Sequence, residues 1–89
     1  MGGDASLEEL RKDVTRMTLE IVRLCGERSL LTRRIGEIKA RRNLQIENLK
    51  VEEDLKNDAL KVCRDYGVDA GFCLKLLELL LNESKRVQK

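Results

Sequence analysis

The sequence contains no proline, no histidine and no tryptophan, and a single phenylalanine and a single tyrosine are its only aromatic residues. Each absence excludes something. Without proline, no helix is forced to stop before its apolar pattern ends. Without large aromatics, any core is aliphatic. Without histidine, and with Cys25, Cys63 and Cys73 in no CxxC or CxxxC spacing, the chain argues against a zinc site, and no metal or cofactor is expected. The odd cysteine count and the lack of a signal peptide point to a reducing, cytoplasmic setting, with Cys25 and Cys73 as small core residues. Uninterrupted apolar runs are no longer than Leu79-Leu80-Leu81, so no membrane span is expected. The net charge of +2 and the scarcity of aromatics give Arg33, Arg34, Arg41 and Arg42 little steering or stacking with which to hold nucleic acid.

What is present is charge and aliphatic periodicity. Charged residues make up 38% of the 89 positions and apolar residues 42%, a balance suited to amphipathic helices in one small domain. Leu7, Leu10, Val14, Met17, Ile21 and Leu24 recur at steps of three and four. Arg28 occupies the next place, and Leu31, Ile35 and Ile38 resume the pattern.

Residues 1–5 read as a flexible start and residues 6–89 as a single helical domain. Ser6 and Glu9 form a capping box at the head of the repeat. A first helix of about 36 residues, or about 54 Å, is expected from there to the Arg42-Asn43 break. Asn43 to Glu47 read as a loop, and Asn48 as the N-cap of a second helix of about 18 residues with the stripe Leu55, Ala59, Val62, Tyr66. Gly67 suits a left-handed C-cap. Asp69 suits the N-cap of a third helix of about 19 residues, with the stripe Cys73, Leu77, Leu80, Ser84, Gln88. A helix so long cannot bury its seam against two helices half its length. The expected fold is therefore all-α, with one long and two short helices per chain in an intertwined homodimer.

Several polar residues share faces with these apolar stripes. A guanidinium at an inward position needs a carboxylate, from protein or ligand, to replace its lost hydration. Arg28, Thr32, Ile35 and Lys39 lie on one stripe, with the two cations about 16 Å apart along the axis. Ser84 and Gln88 supply a hydroxyl and an amide one turn apart, suited to orienting a polar ligand. Arg11 lies about 42 Å from Lys39 on the same helix, so it can reach that site only from the other subunit of an antiparallel dimer.

In order along the chain, these residues resemble the all-helical chorismate mutase family. The resemblance begins at Leu7-Glu8-Glu9-Leu10-Arg11 and continues through Glu27-Arg28-Ser29-Leu30-Leu31 and Ile35-Gly36-Glu37-Ile38-Lys39. Glu52 follows early in helix 2, and Ser84 and Gln88 in helix 3. It implies an intertwined homodimer that rearranges chorismate to prephenate on the route to phenylalanine and tyrosine. It also implies that Arg28 and Arg11 of the partner subunit bind the two substrate carboxylates. Lys39 and Gln88 would donate to the ether oxygen of the breaking C–O bond, Glu52 would accept from the ring hydroxyl, and Ser84 would help hold the ring carboxylate. Asn48 stands at a substrate-binding loop position that is often aspartate. Such a pericyclic reaction requires no nucleophile, general base or metal.

The chain departs from the family pattern at two further places. Val51 replaces a common arginine just before the glutamate, and Thr18 stands where an acid is frequent. Lys50 is the adjacent cation, but on an ideal helix it points about 100° away from position 51. Two other readings stay open: an isochorismate-pyruvate lyase of the same fold, and a non-catalytic helical dimerisation module in which Arg28 meets a carboxylate across the interface, such as Glu20 or Glu27 of the partner subunit.

Overall fold

A computed structural model describes the backbone of residues 3–89 and the side chains of residues 6–89. Among the described residues the architecture is all-helical. It consists of α1 (Gly3–Arg41), α2 (Leu49–Asp65) and α3 (Ala70–Gln88), of 39, 17 and 19 residues. The expected pattern of one long and two short helices is present. The long helix begins earlier than the capping box suggests, so Ser6 lies within α1 rather than at its cap. Of the expected flexible start, residues 3–5 are helical, and residues 1 and 2 lie outside the described residues. Among the described residues no helix is long and apolar enough to cross a membrane. The chain divides into two compact units, Met1–Leu30 and Leu31–Lys89.

The described residues of the first unit are helix alone. Its apolar repeat is laid along one side and exposed, from Leu7 at 45% to Val14 at 63%. Cys25, expected in a core, is a free and exposed thiol, because within this unit nothing packs over its face. Arg23 bridges Glu20 and Glu27, with its guanidinium 2.6 Å from the latter, and the pairing holds the Glu20 carboxyl below its ordinary range. The Thr18 hydroxyl donates back to the Val14 carbonyl at 2.7 Å, so the residue that replaces an acid is satisfied by its own helix.

The second unit is a helical hairpin with the last turns of α1. The end of α1 is marked by Asn43, whose φ of 56° is left-handed, and by the Leu44 N–H donating to the Lys39 carbonyl at 2.8 Å, as in a Schellman cap. The Asn48 side chain then accepts from the Val51 N–H at 3.2 Å and caps α2. At the far end Gly67 takes φ of 69°, and the Val68 N–H donates to the Cys63 carbonyl at 2.8 Å. Asp69 accepts from the Phe72 N–H at 2.9 Å, starting α3 back along α2. Asn48, Gly67 and Asp69 thus serve at the helix ends as read from the sequence, whereas Ser6 does not.

The hairpin core comprises Cys73 and Leu77, with Ser84 buried further along the same α3 stripe. The α2 stripe differs from the expected one. Val62 and Tyr66 are exposed, and Glu52, Ala59, Leu60 and Cys63 are the half-buried positions. Cys63 and Cys73 form a disulfide between α2 and α3, so Cys73 is a core residue but not a free thiol. The Gly67 turn makes this pairing possible by bringing the last turn of α2 beside the first turn of α3.

Candidate functional site

The second unit carries Lys39, Asn48, Glu52, Ser84 and Gln88, and their arrangement starts from a glycine. Gly36 is buried on α1, and a Cβ built there would lie 2.7 Å from the Cα and 2.9 Å from the Cβ of Gln88. The last turn of α3 therefore rests directly on the α1 backbone. Only a residue without a side chain permits that approach. Lys39 follows Gly36 by three residues, about one turn along the same side of α1. The chain thus brings Lys39 and Gln88 to one end of the unit. Among the described residues, Gln88 Oε1 is the buried side-chain polar atom left without a hydrogen-bond partner. Leaving such an acceptor unpaired costs about 1–3 kcal/mol, which a hydrogen-bond donor of a ligand could offset.

Lys39 is half-buried, and its ammonium donates to the Ile46 carbonyl at 2.6 Å. That contact ties the loop after α1 to the helix it leaves. Lysine has three N–H donors, so one bond to Ile46 leaves two for another acceptor. Lys39 and Asn48 line a common concavity with Glu47 and Leu49.

Glu52 is in the first turn of α2 and borders a groove between α2 and α3 whose apolar part includes Leu49, Leu77 and Leu81. Its carboxylate is 3.4 Å from the Lys85 ammonium, which also lies 3.1 Å from Glu47. Glu47 first, and then Glu52, hold the Lys85 ammonium above the ordinary lysine range. Lys50 does not approach Glu52. It pairs with Asp54 one turn on, at 3.4 Å, with 85% of its side chain exposed.

Ser84 is buried, and its hydroxyl donates to the Leu80 carbonyl at 3.0 Å, one turn back on α3. Arg11 and Arg28 belong to the first unit. Arg11 is exposed and borders a shallow depression with Thr15, Leu19 and Arg23, while Arg28 is half-buried.

Lys85 is the residue that the sequence reading passed over. The signal was present in the hairpin: Glu52 and Lys85 stand at similar distances either side of the Gly67 turn, so antiparallel helices bring them level.

The family model described as chorismate mutase type II matches residues 10–89. The chain is similar to a chorismate mutase of Methanocaldococcus jannaschii, with 28% identity over 93% of this chain and 84% of the relative. It is also similar to a bifunctional chorismate mutase/prephenate dehydratase of Aquifex aeolicus, with 42% identity over 68% of this chain. The matched part spans 17% of that longer relative. No solved structure matches the chain.

Proposed function

The chain belongs to the type II chorismate mutase family, a family of isomerases, and on that premise we propose that it rearranges chorismate to prephenate. The observation that carries the reading is the family match from residue 10 to residue 89, which takes in most of α1, the whole of α2 and α3, and every candidate site residue. In the proposed mechanism the enzyme supplies no nucleophile. It binds both carboxylates, through Arg28 and Arg11 of the partner subunit, and so favours the folded conformer in which the bond-forming carbons meet. Lys39 and Gln88 donate to the ether oxygen as the C–O bond breaks and negative charge grows there, each worth about 3–4 kcal/mol by analogy with oxyanion donors. Glu52 accepts from the ring hydroxyl, Ser84 helps hold the ring carboxylate, and Asn48 lines the entry beside Lys39.

Two features of the second unit support these roles. Gly36 seats Gln88 a turn from Lys39, and because the unpaired buried Gln88 Oε1 is an acceptor, donation to the ether oxygen falls to the amide nitrogen. Lys39 is held by Ile46 with donors to spare. The intertwined homodimer belongs to the same proposal and is supported by the exposed repeat of the first unit. Covering each half-exposed aliphatic side chain contributes about 1 kcal/mol, and a lone helix in water is otherwise marginal. We assign the enzyme to the cytoplasm, where the Cys63–Cys73 bond would be subject to reduction.

The test is loss of chorismate absorbance with prephenate as product, repeated with Arg28→Ala. Prephenate formation that falls in the variant is the expected result. Salicylate from isochorismate instead would assign the lyase activity, and a stable dimer that transforms neither compound would assign a dimerisation module.

A further inference from the structure

Lys85 sits between two carboxylates that open α2. Its ammonium is 3.1 Å from Glu47 and 3.4 Å from Glu52, and the Lys85 and Glu52 side chains are only 32% and 23% exposed. The half-buried setting separates this pair from pairs such as Arg16–Asp13, Arg23–Glu27, Lys50–Asp54 and Arg86–Glu83, which join residues three or four apart on exposed helix faces. Lys85 reaches across the hairpin instead, from the end of α3 to the start of α2. Position 51, next to Glu52, is valine and brings no charge, and Lys50 is turned out toward Asp54.

We propose that Lys85 is a positioning residue for the candidate site, orienting the Glu52 carboxylate and offsetting the charge of Glu47 and Glu52 where a dianionic substrate must bind. The inference rests on the chorismate mutase reading. Its physical content is electrostatic. Without Lys85, two carboxylates would stand together at the mouth of a site that accepts a molecule with two carboxylates of its own, and each like-charge pair opposes binding. With Lys85 between them, the local charge falls from two negatives to one, and Glu52 is held where its oxygens can accept from a hydroxyl. A cation delivered from α3 thus stands in for the one missing at position 51.

Because the role is exerted before the bond-breaking step, it belongs mainly to binding. In steady-state kinetics with chorismate, Lys85→Met is expected to raise KM about tenfold and to change kcat by less than about threefold. Lys85→Arg is expected to return KM to within about twofold of the parent, since it keeps the charge and the reach. Adding Val51→Arg to Lys85→Met is expected to recover much of the lost KM by supplying the cation from α2. Thermal unfolding of each variant separates this role from a purely structural one. If Lys85→Met unfolds at a lower temperature but keeps the parental KM, Lys85 is a strut of the hairpin and the inference fails. It fails equally if neither arginine variant recovers KM. A parent protein that leaves chorismate unchanged would overturn the mutase reading itself, whereas an active parent with an indifferent Lys85→Met overturns this inference alone.

Discussion

Gly36 of α1 and Gln88 at the end of α3 stand so close that a Cβ on the glycine would lie 2.7 Å from the glutamine Cα. In sequence, Gly36 is a defect, an interior helical glycine that costs about 1 kcal/mol against alanine. In the fold it is the point on which the last turn of α3 is seated. Gly36→Ala gains that propensity but forces backbone against backbone, and overpacking of this kind costs about 1–3 kcal/mol. The expected outcome is a melting temperature several degrees lower, at about 4–8 °C per kcal/mol for a domain of this size, together with reduced kcat as Gln88 is displaced. Calorimetry and kinetics on the same variant check both. An alanine variant as stable and as active as the parent would remove the Gly36–Gln88 contact from the argument.

Much of the second unit could be read from the chain, for local reasons. Asn48, Gly67 and Asp69 act through their own backbone neighbourhoods, and the α3 stripe through Cys73, Leu77 and Ser84 follows from helical spacing alone. What escaped the reading depends on how the hairpin closes. The turn at Gly67 sets the rotation of α2, so Leu60 and Cys63 face inward beside the expected Ala59, in place of Val62 and Tyr66. The same rotation brings Cys63 to Cys73 and Lys85 to Glu52, pairs that their places about the Gly67 turn set level but that only the rotation makes face each other. Cys25 and the repeat around it were read as core because the periodicity implies a covering surface, and a single chain does not provide one in that unit.

Lys39 offers a test in which structural and chemical roles diverge. Its bond to the Ile46 carbonyl anchors the loop, and its remaining donors are assigned to the ether oxygen. Lys39→Ala loses both, with kcat falling by roughly 10²-fold or more and stability by about 1–3 kcal/mol for the stranded carbonyl. If kcat holds near the parental value while the melting temperature drops, Lys39 is a loop anchor and another group serves the ether oxygen.

The disulfide makes the hairpin sensitive to reductant. Cys63 and Cys73 are 10 residues apart in sequence, and closing a loop of that size restricts the unfolded chain by about 3 kcal/mol in the entropic picture. Dithiothreitol or Cys63→Ser is therefore expected to lower the unfolding free energy by up to about that amount, read as a shift in urea midpoint with little change in slope. Identical midpoints with and without reductant would show that the two thiols are unbonded in solution.

The exposed repeat of the first unit carries the last prediction. Leu10, Val14, Met17 and Ile21 are all more than half exposed. The proposed antiparallel pairing of two α1 helices would cover them and deliver Arg11 of the partner subunit to each site. Sedimentation of the parent as a dimer, and of Met17→Asp as a monomer without activity, is the expected pair of results, because a carboxylate cannot be left unpaired in an aliphatic seam. Subunit complementation gives a sharper version. Arg11→Ala and Arg28→Ala are each expected to be nearly inactive, since every site in either homodimer lacks one carboxylate ligand. Refolded together in equal amounts, half of the dimers carry one chain of each kind, and one of the two sites in such a dimer has both arginines. Activity should then return to about a quarter of the parental level. A mixture no more active than its components, from chains shown to exchange, would mean that Arg11 and Arg28 do not serve a site shared between subunits.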